Sequence, residues 1–487
     1  MKKEKNSRYY CNVAIGLLFM LFFRYLPPFG QVTSVGMAVT GIFIGMIWLW
    51  LSVDGLWPSV LALLVTAFSG YLGDVTGYAA VTSVFTTALG NNTIIMVILF
   101  MSVFGCMGDI GLAEYIARFL LRRKFLAGKA YVLLFMIVFA SYVLCGLGDF
   151  VVCLFIMWPI VEEICKKAGY QKGDKYWNAL VCGVFFGCAI GQPLLPFKGM
   201  VAGLLATFDK AIPGYSINFG AFFAFNFIMA ILIFVLYCLV VRLVIRPDVS
   251  GIKTLQAEDI ISAEKQKMLP VQKLYLALIT LVILGVLIPN FVKSWKWLSD
   301  LGIIGVIAIM LCVVCVLRTK EGTPLVNIRM YLGKTFNWTM VWQMAAAIYI
   351  ASALTADVTG VRATLVSVLQ PSLAGVPTAV FVALIVAFTV VITNFANNMV
   401  VGVIMINLIS AFLQMMPGLN PSAATVMVIL SACIAFLLPS ASVYAAILHS
   451  RKDLVEMKDI AQIFVPIIIV VILAYCLIGY PLANLMF

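Results

Sequence analysis

Long apolar runs, separated by short polar or basic segments, make up most of this 487-residue chain. A helix needs about 20 mostly apolar residues to cross a bilayer, so each run of that length is a candidate crossing. Eleven crossings are predicted in this way, at 11–27, 33–51, 56–72, 92–110, 177–208, 218–241, 271–290, 301–317, 338–356, 421–448 and 460–485. Two further apolar stretches, 130–166 and 373–416, are interrupted by polar residues. The pattern therefore predicts an all-α membrane protein.

The two interrupted stretches carry polar, helix-breaking tips at corresponding positions. When Asp149 is aligned with Asn398, Phe150 falls on Met399, and an apolar run follows in both copies. Polar backbone at membrane depth is tolerated where it is buried in protein or lines a cavity, and paired interruptions indicate a transporter's binding site. The tips supply the candidate substrate ligands Gly148, Asp149, Asn397 and Asn398.

Basic residues predict the orientation of these segments, because lysine and arginine concentrate in cytoplasmic loops. The start of the chain and both flanks of 130–166 are basic, whereas the flanks of 373–416 hold one positive charge, Arg362. We expect two opposed re-entrant hairpins, the first open to the cytoplasm and the second to the outside. The N-terminus is predicted inside and the C-terminus outside. An amphipathic stretch, 111–125, is expected along the inner surface.

This arrangement divides the chain into two inverted repeats. The predicted units are an N-terminal helix (1–32), a first repeat (33–245), a cytoplasmic linker (246–270) and a second repeat (271–487). The basic start leads into a full-length span rather than a cleavable signal, and the loops are short. These features favour a multi-pass protein of the cytoplasmic membrane.

Composition supports a protein of the lipid bilayer and argues against several other classes. The chain is 64% hydrophobic and 11% charged, whereas soluble domains carry about 25% charged residues. Its net charge of +12 lies in short clusters between the spans, so no nucleic-acid partner is expected. The single histidine, His449, and the absence of a Ser-His or Cys-His arrangement argue against an enzyme and against a bound cofactor.

Each predicted hairpin is followed by a span that proline interrupts, 177–208 in the first half and 421–448 in the second. Proline removes a backbone donor and frees carbonyl and amide groups for a ligand. The helix N-termini at such breaks favour an anion. Pro193 corresponds to Pro439, and Lys198 then falls on Tyr444. These loops add the candidate substrate ligands Pro196, Lys198, Ser442 and Tyr444.

At these residues the chain resembles the divalent anion:sodium symporter family, the carriers of dicarboxylates, citrate and sulfate within the ion transporter superfamily. The family carries a Ser-Asn-Thr motif at each tip, where this chain has Gly148-Asp149-Phe150 and Asn397-Asn398-Met399. The resemblance implies a homodimer that works as an elevator, with a small anionic substrate bound between the tips. It also implies Na⁺ sites, one of them between the first tip and the first broken span.

The departures from the family motif suggest a different ion chemistry. Our hypothesis is that the Lys198 ammonium replaces the first sodium and pairs with Asp149, because pairing reduces the cost of a buried charge. The carrier would then be a sodium-independent exchanger or would couple to H⁺ through Asp149. The alternative readings are that Lys198 reaches water and that Asp149 caps a helix.

The second tip has more conventional candidates for a sodium site. Asn397, Asn398 and Ser440 offer the oxygen ligands that sodium prefers. They could instead satisfy exposed backbone at the break. Thr393 and Asn394, one turn earlier, either bind a ligand or join the hairpin arms.

Two functions remain open at this point. The first is a secondary carrier of small organic anions of the di- or tricarboxylate type. The alternative is a cation or cation/proton antiporter, in which Asp149 binds the moving ion and Lys198 is an internal counter-ion. A channel fits less well, because two opposed hairpins suit alternating access.

Overall fold

The computed structural model describes most of the chain. The described residues are 2–104, 110–121, 126–196, 198–253, 268–291, 296–318, 322–324, 326–334, 336–361, 363–364, 367–368, 376–395, 398–413, 415–416, 418–439 and 441–487. Over these ranges the chain consists of helices and their connections, with one isolated β-bridge between Arg318 and Pro324. The predicted all-α class is confirmed.

Twelve described helices precede residue 254. They are α1 (Lys2–Phe22), α2 (Ser34–Ser52), α3 (Leu56–Ala67), α4 (Gly77–Leu89), α5 (Asn92–Phe104), α6 (Leu112–Leu121), α7 (Ala130–Leu147), α8 (Phe150–Lys167), α9 (Lys175–Gly191), α10 (Gly199–Ala211), α11 (Phe219–Val240) and α12 (Ser250–Lys253). Short 3₁₀ turns follow α1 and α9, at Phe23–Tyr25 and Gln192–Leu194, and a π-helical turn, Val241–Ile245, extends α11.

Ten described helices follow. They are α13 (Pro270–Phe291), α14 (Lys296–Val316), α15 (Ile328–Lys334), α16 (Trp338–Thr355), α17 (Thr378–Thr393), α18 (Asn398–Phe412), α19 (Pro421–Ala432), α20 (Val443–Ser450), α21 (Met457–Ala474) and α22 (Tyr480–Met486). A 3₁₀ turn, Asp357–Thr359, follows α16, and a π-helical turn, Tyr475–Gly479, joins α21 to α22.

Both interrupted stretches fold back on themselves. In the first, the Cys153 thiol of α8 lies 3.5 Å from the Ser141 carbonyl oxygen of α7. In the second, the rings of Phe381 on α17 and Phe412 on α18 lie 5.0 Å apart. The first contact joins residues on either side of the tip, and the second joins residues near opposite ends of its stretch, so both segments are helical hairpins.

Length and composition identify fewer crossings than the sequence predicted. Five described helical segments are long and apolar enough to cross a membrane, and the pair α4–α5, bent by 50°, would make a sixth. The five segments are Ser34–Ser52, Ala130–Leu147, Lys175–Ala211, Phe219–Ile245 and Met457–Met486. The arm Ala130–Leu147 is therefore longer than expected, since each hairpin arm was predicted to be too short to span.

The sequence pattern also missed whole helices. No crossing was predicted at 77–89, where α4 lies, because four hydroxyl residues of this helix dilute its hydrophobicity: Thr82, Ser83, Thr86 and Thr87. Of the predicted linker 246–270, residues 254–267 lie outside the described part of the chain. The amphipathic stretch 111–125 forms α6 as far as Leu121, and residues 122–125 are not described.

The first hairpin packs closely against the broken span that follows it. A Cβ atom on Gly187 of α9 would lie 2.2 Å from the Val138 carbonyl oxygen of α7, so only glycine permits this backbone approach. The Tyr176 hydroxyl of α9 donates to the Ala130 carbonyl at the start of α7, at 2.7 Å. The hairpin and α9 therefore form one packed unit that holds the first tip beside the first break.

The two halves meet in an aromatic core beneath the tips. The rings of Phe436 and Phe464 lie 4.1 Å apart, and Phe186 of the first half packs on Phe436 at 5.9 Å. Nearby, the Trp177 indole donates to the Leu454 carbonyl at 2.9 Å. These contacts join the two broken spans and position their breaks next to the hairpin tips.

Candidate functional site

Asp149 caps the second arm of the first hairpin. The arm α7 ends at Leu147, Gly148 follows, and the Asp149 Oδ1 atom accepts the Val151 and Val152 N–H groups at 2.8 and 3.2 Å. Two of the free amides at the start of α8 are thereby satisfied, as an N-cap aspartate does. The capping interpretation of Asp149 matches this geometry.

Lys198 lies at the first break, but its partner is not the predicted one. The break runs from the 3₁₀ turn after α9 to Lys198, the residue before α10, and includes the buried Pro196. The part-buried Lys198 ammonium donates a hydrogen bond to the Cys145 carbonyl oxygen, close to the C-terminal end of α7. Between the described atoms of Lys198 and Asp149 there is no ion pair within 4.0 Å.

The absent ion pair has a simple physical reason. The Asp149 carboxylate is already turned toward the amides at the start of α8, whereas the last carbonyls of α7 have no partner within their own helix. These carbonyls form the negative end of the helix dipole, which attracts a cation. The first break therefore binds its ammonium through main-chain oxygen, and the predicted Asp149–Lys198 pair is wrong as a direct contact.

The second tip is described only in part. Asn398 is buried at the start of α18, and its side-chain oxygen accepts the Met399 N–H group at 3.0 Å. The other two residues of the predicted sodium site, Asn397 and Ser440, lie outside the described residues. The structure thus places one of the three predicted sodium ligands.

Asn394 and Thr393 join the second hairpin to the second break. The Asn394 amide nitrogen donates to the Ile434 carbonyl at 2.7 Å, and its oxygen accepts the N–H groups of Phe436 and Leu437 at 3.1 and 2.8 Å. Thr393 donates to the Ala432 carbonyl at 3.1 Å. These hydrogen bonds satisfy backbone that the broken helix exposes, so both side chains hold the hairpin against the break.

Ser442 completes the second break. Its hydroxyl accepts the Ala445 N–H group at 3.0 Å, which caps α20, and donates to the Ala435 carbonyl at 3.1 Å. Both ends of the break are thereby bound to the same side chain. Ser442 is 7% exposed, so little of it is open to a ligand in this conformation.

Tyr444 brings the second break into contact with the first tip. Its ring stacks on that of Phe150, the residue after Asp149, with centroids 4.0 Å apart and planes 3° from parallel. In the other direction, α18 packs on α10, where a Cβ atom on Gly402 would lie 2.7 Å from the Leu204 side chain. The tip of each hairpin therefore lies against the broken span of the opposite half.

Sequence reasoning missed two members of this site. The Cys145 carbonyl group accepts the hydrogen bond from Lys198. Every residue has such a carbonyl group, so the residue type could not indicate this contact. Phe150 was treated as part of an apolar flank, although its position beside the tip could have suggested a contact across the two halves.

Comparisons with known proteins agree with this arrangement. The family model described as citrate transporter, CitMHS, matches residues 46–322, which is more than half of the chain. Among curated proteins none matches. A solved structure of similar fold is described as the Alcanivorax borkumensis YdaH transporter with an unusual topology. It shares 14% identity, with a TM-score of 0.55 over 91% of this chain and 98% of that chain.

These findings place the chain among multi-pass membrane transporters and confirm the predicted resemblance to citrate carriers of the ion transporter superfamily. The structural likeness supports the fold, and the family match carries the assignment. The chain belongs to the citrate transporter (CitMHS) family.

Proposed function

We propose that this protein is a secondary carrier of citrate-like anions that exchanges one anion for another without sodium. The observation that carries the proposal is the hydrogen bond from the Lys198 ammonium to the Cys145 carbonyl at the first break. In the resembling family a sodium ion is expected between these two elements. A tethered ammonium in its place supplies the positive charge and needs no ion from solution.

The chemistry of the first break supports an anionic substrate. The helix α8 begins at the first tip and α10 begins at the first break, and helix N-termini attract negative charge. The Lys198 ammonium adds a full positive charge beside them. Gly148, Asp149, Pro196 and Tyr444 line the same region and would shape the substrate site, with the Asp149 carboxylate oriented toward the amides of α8.

The cycle we propose is an elevator movement of the hairpins and broken spans against the remaining helices. Its support is the tight packing of hairpin, α9 and aromatic core into one unit. The proposed setting is a homodimer in the cytoplasmic membrane, with the N-terminus inside and the C-terminus outside, as the basic loops indicate. The substrate would bind between the two tips.

Counterflow in proteoliposomes tests the exchange. Vesicles loaded with unlabelled citrate receive labelled citrate outside, with sodium replaced by choline and with equal pH on both sides. We expect uptake that requires internal citrate and proceeds at the same rate in sodium and in choline. Uptake only in sodium would overturn the proposal and would favour a sodium site at Asn397, Asn398 and Ser440.

Two further arms separate the remaining alternatives. Citrate uptake into empty vesicles under an inward proton gradient would replace exchange by H⁺ coupling through Asp149. Movement of a monovalent cation in the absence of any citrate flux would favour the cation or cation/proton antiporter. Citrate counterflow that is independent of both ions would leave exchange as the mechanism.

A further inference from the structure

A cavity of about 210 Å³ lies at the far end of α10, and none of its described lining residues belongs to either tip. Its walls come from the connection between α3 and α4, from α4, from the break between α4 and α5, from the C-terminal end of α10 and from the C-terminal half of α16. This volume is enough for one small organic anion.

Seven of the ten residues that line this cavity have polar side chains, one of them a cation, although most of the wall surface is apolar. Lys210 is its one charged residue, and no Asp or Glu contributes to the walls. Within the described part of the chain, the Lys210 ammonium has neither a hydrogen bond nor an ion pair. Tyr71, Tyr349, Ser83 and Thr87 bring hydroxyl groups to the same space.

Another part of the wall is the break between α4 and α5. The helices α4 and α5 meet at an angle of 50°, and Asn91, at the break, accepts the Thr93 N–H group at 2.9 Å. Broken backbone at membrane depth is tolerated where it lines a cavity or is buried in protein. The first amides of α5 therefore begin at the wall of a space that already holds an ammonium group.

We propose that this cavity is a second anion site, which takes a small polycarboxylate such as citrate before it reaches the tips. One ammonium, several hydroxyl donors and the start of a helix are the groups that bind carboxylates. The choice of citrate as ligand rests on the proposed function. Lys198 precedes α10 and Lys210 lies in its last turn, twelve residues or about 18 Å farther along the helix axis, so the two sites are separate.

The position of Lys210 explains how such a site would serve transport. α10 begins at the first break and packs against α16 and α18, so it connects the tip region to this cavity. In the proposed orientation the C-terminal end of α10 faces the outside. An anion held there would be concentrated at the outer mouth of the carrier.

Chemical labelling tests the site without relying on transport. Thr87→Cys places a thiol in the cavity wall, and a negatively charged methanethiosulfonate reagent reports access to it, with the exposed native Cys11 as internal control. We expect citrate to slow modification of residue 87 at least fivefold and to leave Cys11 unaffected. Lys210→Gln should remove this protection, and Lys210→Arg should retain it.

Matched controls separate this proposal from the proposed function. Lys458→Gln removes a well-exposed lysine elsewhere and should leave protection unchanged. In counterflow, Lys210→Gln should raise the citrate KM about fivefold and preserve the maximal rate, as expected for a residue that acts on binding alone. Lys210-dependent protection without citrate transport would retain the site and overturn the proposed function. If citrate is transported but protects residue 87 equally well in Lys210→Gln, or does not protect it in any variant, the proposed site is wrong.

Discussion

The two hairpins have the same architecture but meet their broken spans with different chemistry. In the second half Asn394 reaches the break and binds its backbone through both atoms of the amide. The equivalent position in the first half, four residues before the tip, is Cys145. Its side chain is a thiol, and its carbonyl group accepts the hydrogen bond from the Lys198 ammonium.

The second break is thus held by neutral side chains, whereas the first break contains a charged group. An amide offers two donors and an acceptor, whereas a thiol is weak in both roles. The second break is therefore fixed by neutral hydrogen bonds from Asn394 and Ser442. In the first break the Lys198 ammonium binds a carbonyl group near the end of α7. The half that lacks the amide is the half that carries the charge.

The largest expected effect follows from removing the amide. Asn394→Ala deletes hydrogen bonds to three groups of the break and should lower the free energy of unfolding by about 2–4 kcal/mol, because each buried bond contributes ~1 kcal/mol. Melting followed by tryptophan fluorescence in detergent measures this. The matched variant Cys145→Ala keeps the carbonyl and should change stability far less. Equal losses in both variants would contradict the comparison.

Lys198→Met tests the charge of the first break. Loss of one charge-assisted hydrogen bond, ~1.5–3 kcal/mol, corresponds to a fall of roughly 10- to 100-fold in citrate counterflow. Initial rates, normalised to reconstituted protein, measure it, and Lys458→Met serves as control. Lys198→Ser sharpens the test, because sodium should partly restore transport once the ammonium is gone. Wild-type counterflow in Lys198→Met would refute the role of the charge.

The sequence could predict where the helices break but not how the breaks are satisfied. The aligned tips located both hairpins, and the prolines located both broken spans. The helix α4 was missed because Thr82, Ser83, Thr86 and Thr87 make its composition ambiguous. Polar residues at a break gave no sign of their partners, because the partners of Asn394 and Ser442 are backbone groups.

The same limit explains the incorrect ion pair. Asp149 and Lys198 have opposite charges and lie at the same tip, so pairing them followed from residue type alone. In the structure both groups bind helix ends instead, because the free amides of α8 bind the carboxylate and a free carbonyl of α7 binds the ammonium. Stacking of Phe150 on Tyr444 depends on how the halves pack, which local sequence does not encode.

Close packing of the first hairpin on α9 gives a smaller effect. A Cβ atom at Gly187 would overlap the Val138 carbonyl, so Gly187→Ala should lower stability by about 1–3 kcal/mol through forced separation of the helices. Thermal melting in detergent reports the loss. Gly333→Ala, where a Cβ atom meets nothing within 4 Å, is the matched control and should melt like the parent. A Gly187→Ala protein as stable as its control would show that α7 and α9 can separate freely.

The smallest effect compares the two helix caps. Asp149→Ala and Ser442→Ala each remove one N-cap and should each cost about 1 kcal/mol of stability. Asp149→Asn should melt within a few tenths of a kcal/mol of the parent, because asparagine caps as well as aspartate. It removes the negative charge and leaves the cap, so its counterflow reports the charge alone. Counterflow that becomes faster, or loses any dependence on pH, would show that this carboxylate acts on the substrate or the proton. Unchanged counterflow would leave Asp149 as a cap, and the difference between the two hairpins would then rest on Lys198 and Asn394.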